Sequence, residues 1–264
     1  MSAVQPIGHR LREWRQRRRW TQLDLACEAE ISSKHLSFLE TGRSKPSREM
    51  LLHLAELLEV PLRERNEWLV AAGFAPVFTE HALDAPELQM GRRAIEQVLR
   101  GHEPFPALAI DRHWNMITAN RIVPHLLAGI TPSLLEPPVN VLRLSLHPEG
   151  LAPRIANFHQ WRTHLLNRLR RQIDLSADAD LAKLHDELEG YPTPPATRSA
   201  REEPTHIVVP LRLEIGGATL SFISTTTVFG TPVDITLSEL AIESFFPTDA
   251  ETASTLNQLA AIGS

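Results

Sequence analysis

Apolar side chains follow two different rhythms along the chain. Before residue 74, Leu11, Trp14, Leu23, Leu25, Ala26, Leu36, Leu39, Leu51, Leu54, Leu57 and Leu58 recur at three- and four-residue steps within short segments. That is the period of helices burying one face. After residue 104 the rhythm changes. Pro106–Ile110 and Asn115–Ala119 read as short strands around the turn Asp111-Arg112-His113. A helix is expected over 121–128 with Asn120 as its N-cap. Ile155, Phe158, Trp161, Leu165, Leu166, Leu169 and Ile173 predict a long amphipathic helix over 154–173. Another is expected over 178–189, stopped at Gly190. His206–Ile215 and Ala218–Phe229 read as a hairpin across Gly216-Gly217, and Thr236–Phe246 as a closing helix capped by Thr236 or Ser238.

Two proline-bearing stretches punctuate this pattern. Residues 74–87 hold two prolines and 191–204 hold four, so neither can be a helix interior. The first follows an all-helical segment and reads as a boundary; the second reads as a long loop within a domain. The expected organisation is an all-α head over 1–76, a linker or connecting helix over 77–103, and an α+β body with one antiparallel sheet over 104–264.

The head carries the first chemical signal. Helices over 21–29 and 33–40 are joined by a tight turn at Glu30-Ile31, with Ser32 as N-cap of the second. Burying Leu36 and Leu39 turns Ser32, Ser33, Lys34, Ser37 and Phe38 outward near its start. In a helix-turn-helix those positions enter the major groove of DNA. The head resembles Cro/repressor-type (XRE-like) DNA-binding domains through Thr21-Gln22, Leu25-Ala26, Leu36-Ser37, Leu39-Glu40, Gly42, Pro46 and the helix Leu51–Val60. The resemblance spans about residues 8–72 and five helices. It implies that Gln22, Arg43 and Lys45 bond phosphates and that Ser33, Lys34 and Phe38 face base edges. Lys34 suits guanine O6/N7 and Phe38 a thymine methyl. The run Arg15-Gln-Arg-Arg-Arg19 admits two readings, a solvated helix face or further phosphate contacts.

Charge sharpens the division. The chain of 264 residues has a formal net charge of −5. Residues 1–48 hold 10 Lys+Arg and 5 Asp+Glu; residues 49–264 hold 17 and 27. A basic reading head is joined to an acidic body with no reason to approach phosphate. The single cysteine, Cys27, excludes an intramolecular disulfide and suits a reducing cytoplasm. No targeting leader or apolar run of membrane-spanning length is apparent, so a cytoplasmic protein without membrane attachment is expected.

The body offers little catalytic chemistry. Its histidines form no His-Glu-x-x-His, no cysteine pair suits zinc, and no phosphate-cradling glycine loop occurs. No catalytic residue, metal or cofactor is expected. The body resembles the C-terminal ligand-binding domain of MmyB-like transcription regulators over about residues 104–256. The segments that carry the likeness are 104–120, 142–151, Asn157, Trp161, 164–172, 186–192 and 222–247. This implies a PAS-like fold and fatty-acid-like ligands behind a helix-turn-helix head.

Phe105, Leu108, Ile110, Phe158, Trp161, Leu165 and Phe222 are candidate pocket residues, or simply core. Arg143 and Arg212, each in a Leu-Arg-Leu run, are candidates to meet a carboxylate, or else surface residues. The function expected is a one-component regulator that binds double-stranded DNA as a homodimer and senses a small apolar or amphipathic molecule. The alternative is a regulator whose body serves only dimerisation or partner binding.

Overall fold

The computed structural model describes residues 5–194, 208–230 and 232–262. The chain divides into two compact units. The first contains the residues up to His81, joined by residues 174–176 and by the segment 232–238. Its five helices are α1 (Ile7–Arg17), α2 (Gln22–Glu28), α3 (Ser33–Glu40), α4 (Arg48–Leu57) and α5 (Leu62–Ala71). Local chemistry sets their starts. Thr21 and Asp24 form a capping box on α2, while the hydroxyls of Ser32 and Ser47 accept the amides of His35 and Met50. Leu11, Trp14, Leu25, Leu36, Leu39, Leu54, Leu58 and Trp68 build one core. Gly8 lets α1 cross α3: a Cβ there would sit 2.5 Å from the Leu39 carbonyl oxygen. Leu23 departs from the expected helical stripe and is 63% exposed on the outer side of α2.

The second unit begins with α6 (Gln89–Gly101) and the paired strands β1 (Ala107–Ile110) and β2 (Met116–Ala119). Then come α7 (Val123–Leu126), α8 (Val141–Leu146), α9 (Phe158–Ser176) and α10 (Ala179–Glu189). The hairpin β3 (Leu211–Ile215) and β4 (Ala218–Val228) follows. The one-turn α11 (Ile235–Ser238), counted in the first unit, leads to β5 (Ala241–Pro247) and α12 (Ala250–Ile262). The sheet order is β2-β1-β5-β4-β3, antiparallel throughout. An all-α head followed by an α+β body with one antiparallel sheet is the fold expected from the sequence.

Several elements differ from expectation. Thr236–Phe246 is not a closing helix: α11 ends at Ser238 and 241–247 is a strand between β1 and β4. The helical spacing of its apolar residues is overridden by hydrogen bonding to strands on both sides. Asp234, rather than Thr236 or Ser238, caps α11, accepting the Leu237 amide at 3.3 Å. The helix expected over 121–128 is confined to α7. Asn120 accepts the Ile122 amide at 3.3 Å, but its own amide bonds the carbonyls of Leu99 and Phe105. Residues 154–157 do not join α9; Ile155 bridges Leu213 of β3. The first hairpin arm starts at Leu211, and its expected beginning at 206–207 lies outside the described residues, as do 195–204 of the long loop.

Candidate DNA-reading face and ligand pocket

In the head, α3 presents the expected residues together. Ser32 and Lys34 are exposed, and Ser33, Ser37 and Phe38 are half-buried. Lys34 Nζ lies 5.7 Å from the centroid of the Phe38 ring, and the Arg43 guanidinium carbon lies 5.8 Å from it. Two cations, one from the first turn of α3 and one from just beyond its end, thus approach the same aromatic ring. Gly42, with φ of +73°, turns the chain after α3 and leaves Arg43 and Lys45 exposed. Gln22 is engaged within the protein: its amide nitrogen donates to Glu40 Oε2 at 2.8 Å.

In the basic run beginning at Arg15, Arg15 and Arg18 are engaged within the protein, while Arg17 and Arg19 are exposed. Arg15 is buried and forms a two-pronged pair with Glu40, at 2.6 and 3.0 Å. Arg17 pairs with Glu13, and Arg18 donates to the carbonyls of Leu58 and Glu59 at the end of α4.

In the body, strand register assembles a pocket. Leu211 faces Phe222, Leu213 faces Leu220, Ser224 faces Phe245, Thr226 faces Glu243, and Glu243 faces Leu108. Because side chains alternate, these residues share one face of the sheet. Opposite them, Trp161, Leu165 and Arg168 of α9 stand at i, i+4 and i+7, a single helical stripe. Helices α7 and α8 close the sides with Val123, Leu126, Val141, Leu142, Leu144 and Ser145. The cavity between these elements is about 100 Å³ and opens to solvent at its mouth.

Four of the nine expected ligand residues line this pocket: Leu108, Trp161, Leu165 and Phe222. Phe105, Ile110 and Phe158 pack in the surrounding core and are not among its lining residues. Neither expected arginine lines it. Arg143 sits on α8 and bonds Glu187 through two nitrogens at 2.8 Å each, which raises its pKa. Arg212 lies between Leu211 and Leu213, so strand alternation turns it to the other face.

The charged side chains in the pocket lining are instead Arg168 and Glu243, and Arg168 is the arginine among them. Its Nη2 pairs with Glu243 Oε1, its Nη1 donates to Glu243 Oε2 at 3.1 Å, and Nη2 also donates to Thr226 Oγ1 at 2.7 Å. The guanidinium carbon lies 4.5 Å from the Trp114 ring centroid. His164, stacked on Trp161 at 5.3 Å, has its pKa lowered by burial first and then by Arg168 and Arg171. Arg168 falls in the same helical stripe as Trp161 and Leu165, and that spacing was the available signal in the sequence. His113, Asp178 and Asp180 converge closely enough to hold a metal, but Asp178 already caps α10 and accepts from His113 at 2.9 Å.

No helix among the described residues is long and apolar enough to cross a membrane. Residues 6–68 match a helix-turn-helix domain family. Over 106 residues the chain is 35% identical to the uncharacterized HTH-type transcriptional regulator RghRB of Bacillus subtilis (strain 168), covering 39% of this chain and 74% of that protein. Residues 92–259 match the MmyB-like transcription regulator ligand binding domain family. Regulators of this kind are typically non-enzymatic. With a helix-turn-helix head in front of that domain, the chain belongs to the MmyB-like transcription regulators.

Proposed function

We propose that this regulator is a cytoplasmic one-component sensor that binds DNA as a homodimer and holds an amphipathic, fatty-acid-like molecule in its body. The observation that carries the sensing part is the apolar pocket between the sheet and α9. Walls of Leu, Val, Phe and Trp favour an alkyl chain by about 25 cal/mol for each Å² of apolar surface removed from water. Ser33, Lys34 and Phe38 read base edges, while Gln22, Arg43 and Lys45 hold phosphates.

One covalent connection from the pocket strands to the first unit runs through residues 232–238. Strands β4 and β5 both line the pocket, and the segment between them belongs to the first unit. There Ile235 donates to the Thr79 carbonyl at 2.9 Å, Asp234 pairs with His81 at 2.8 Å, and Thr236 bonds the His81 carbonyl at 2.6 Å. A ligand that favours one arrangement of β4 and β5 thereby biases the segment attached to α5, and the bias equals its differential affinity for the two arrangements.

The test is native mass spectrometry of the purified protein, followed by DNA-binding titrations with and without the released molecule. A co-purifying amphiphile that changes affinity for DNA from the neighbourhood of its own gene is the expected result. A ligand-free dimer whose DNA affinity no amphiphile alters would overturn the reading.

A further inference from the structure

The pocket's polar end points to the class of head group it accepts. Its two charged side chains, Arg168 and Glu243, are bonded to each other through both carboxylate oxygens. Thr226 donates its hydroxyl to the same carboxylate at 2.9 Å. Glu243 is 4% exposed. The positive charge that would attract an anion is already neutralised inside the wall. A carboxylate arriving there brings an unpaired negative charge into an apolar space beside Glu243, and such a charge is costly to desolvate.

The remaining polar groups are of another kind. The hydroxyls of Ser145 and Ser224 line the pocket.

We infer that the effector is a neutral amphiphile, with an alkyl tail and an uncharged hydroxyl or carbonyl head, and that the Arg168–Glu243 pair discriminates against the free carboxylate. The inference rests on the amphiphile-sensing reading above and narrows it. The tail occupies the Leu- and Phe-lined space, and the uncharged head group bonds Ser145 or Ser224.

The experiment compares 1-dodecanol with dodecanoate at pH 8, titrated into the full chain and followed by tryptophan fluorescence and calorimetry. Dodecanol is expected to bind at least about tenfold more tightly, since a carboxylate entering an apolar space with no free countercharge is costly to desolvate. Glu243→Gln removes the repelling charge and leaves Arg168 uncompensated, so it should reverse the order of the two ligands. Ser224→Ala removes a hydroxyl from the pocket wall; it should weaken dodecanol about fivefold, the scale of one lost hydrogen bond. Circular dichroism checks that each variant is folded, and the wild-type comparison stands if Glu243→Gln is not. Equal or tighter binding of dodecanoate by the wild type overturns the inference and leaves amphiphile sensing intact. An unchanged order in folded Glu243→Gln overturns it as well. Binding of neither ligand overturns the sensing reading and this inference together.

Discussion

Each unit of the molecule holds an arginine and a glutamate joined through two nitrogens and two oxygens, and the two pairs have different neighbours. In the head, Arg15 and Glu40 have side chains 9% and 1% exposed. The remaining bonds go to the protein itself: Arg15 donates to the Trp20 carbonyl at 2.7 Å, and Gln22 donates to Glu40. In the body, Arg168 and Glu243 are 25% and 5% exposed and both face a cavity. The same chemistry ties three helices together in one place and furnishes a binding wall in the other. What surrounds an ion pair, rather than its own geometry, decides which it does.

The sharpest way to break that contrast is to remove one partner from each pair. Glu40→Ala strands a buried guanidinium and is expected to destabilise the head by about 3–5 kcal/mol. Glu243→Ala should cost less, because Arg168 can reach solvent and retains Thr226 and Trp114 as neighbours. Urea unfolding followed by circular dichroism measures both. Equal losses would erase the distinction.

A second contrast concerns what each unit recognises. Lys34→Ala should weaken binding to the specific DNA site by about 1–3 kcal/mol, the scale of one base contact, and leave amphiphile binding unchanged. Arg43→Ala should weaken binding to all sequences and reduce the salt slope by about one. Fluorescence anisotropy at several salt concentrations separates the two effects. A Lys34→Ala protein with unaltered site preference would remove Lys34 from the reading face.

The two units also differ in how much of them the sequence discloses. In the head, caps and apolar spacing lie within a few residues of each other, and α3 occupies 33–40 after its Ser32 cap as its sequence predicts. The basic run was less legible. Which of Arg15, Arg17 and Arg18 faces water depends on Glu40 and on the end of α4, at Leu58 and Glu59. In the body, β5 carries Ile242, Phe245 and Phe246 at spacings that suit a helix equally well. Its pairing with β4 and with β1, some 130 residues earlier, makes it a strand. The error conceals Glu243 and with it the role of Arg168. Arg143 and Arg212 share the motif Leu-Arg-Leu, yet one occupies a helix and the other a strand. Four of the aromatic and aliphatic candidates do line the pocket, because a pocket in a two-layer body is bounded by the same faces that form its core.

Where the two units are covalently linked, Asp234 offers a smaller test. It is buried, caps α11 through Oδ1 and meets His81 through Oδ2. Asp234→Ala should lower head stability by about 1–2 kcal/mol, the usual cost of a cap and a hydrogen bond. It should also diminish the effect of bound amphiphile on DNA affinity while leaving amphiphile affinity unchanged. Full retention of that effect in the variant would rule out residues 232–238 as the route.

The smallest expected effect sets the units apart by pH. In the head, burial and then the nearby Glu67 push the Glu64 carboxyl up to about 7, against the attraction of Arg10. Arg10 Nη1 lies 3.2 Å from Glu64 and 2.9 Å from Glu67, so one guanidinium serves two carboxylates. A carboxyl whose pKa is higher folded than unfolded favours folding most when protonated. Its contribution is full below about 4.5 and is lost as pH rises through about 7. In the body, Glu187 is held low by its hydrogen bond from Arg143. Asp178 is lowered as well: burial pushes upward, and the bonds from His113 and the α10 amides outweigh it. Their contributions are present at neutral pH and lost on acidification. Glu64→Gln mimics the protonated form, so at pH 8 it should stabilise the head by about 1 kcal/mol, after allowing for solvent screening of a partly exposed group. At pH 4 it should change little. Denaturation of the full chain at both values measures this, and a variant no more stable than wild type at pH 8 would mean that Arg10 already satisfies both carboxylates.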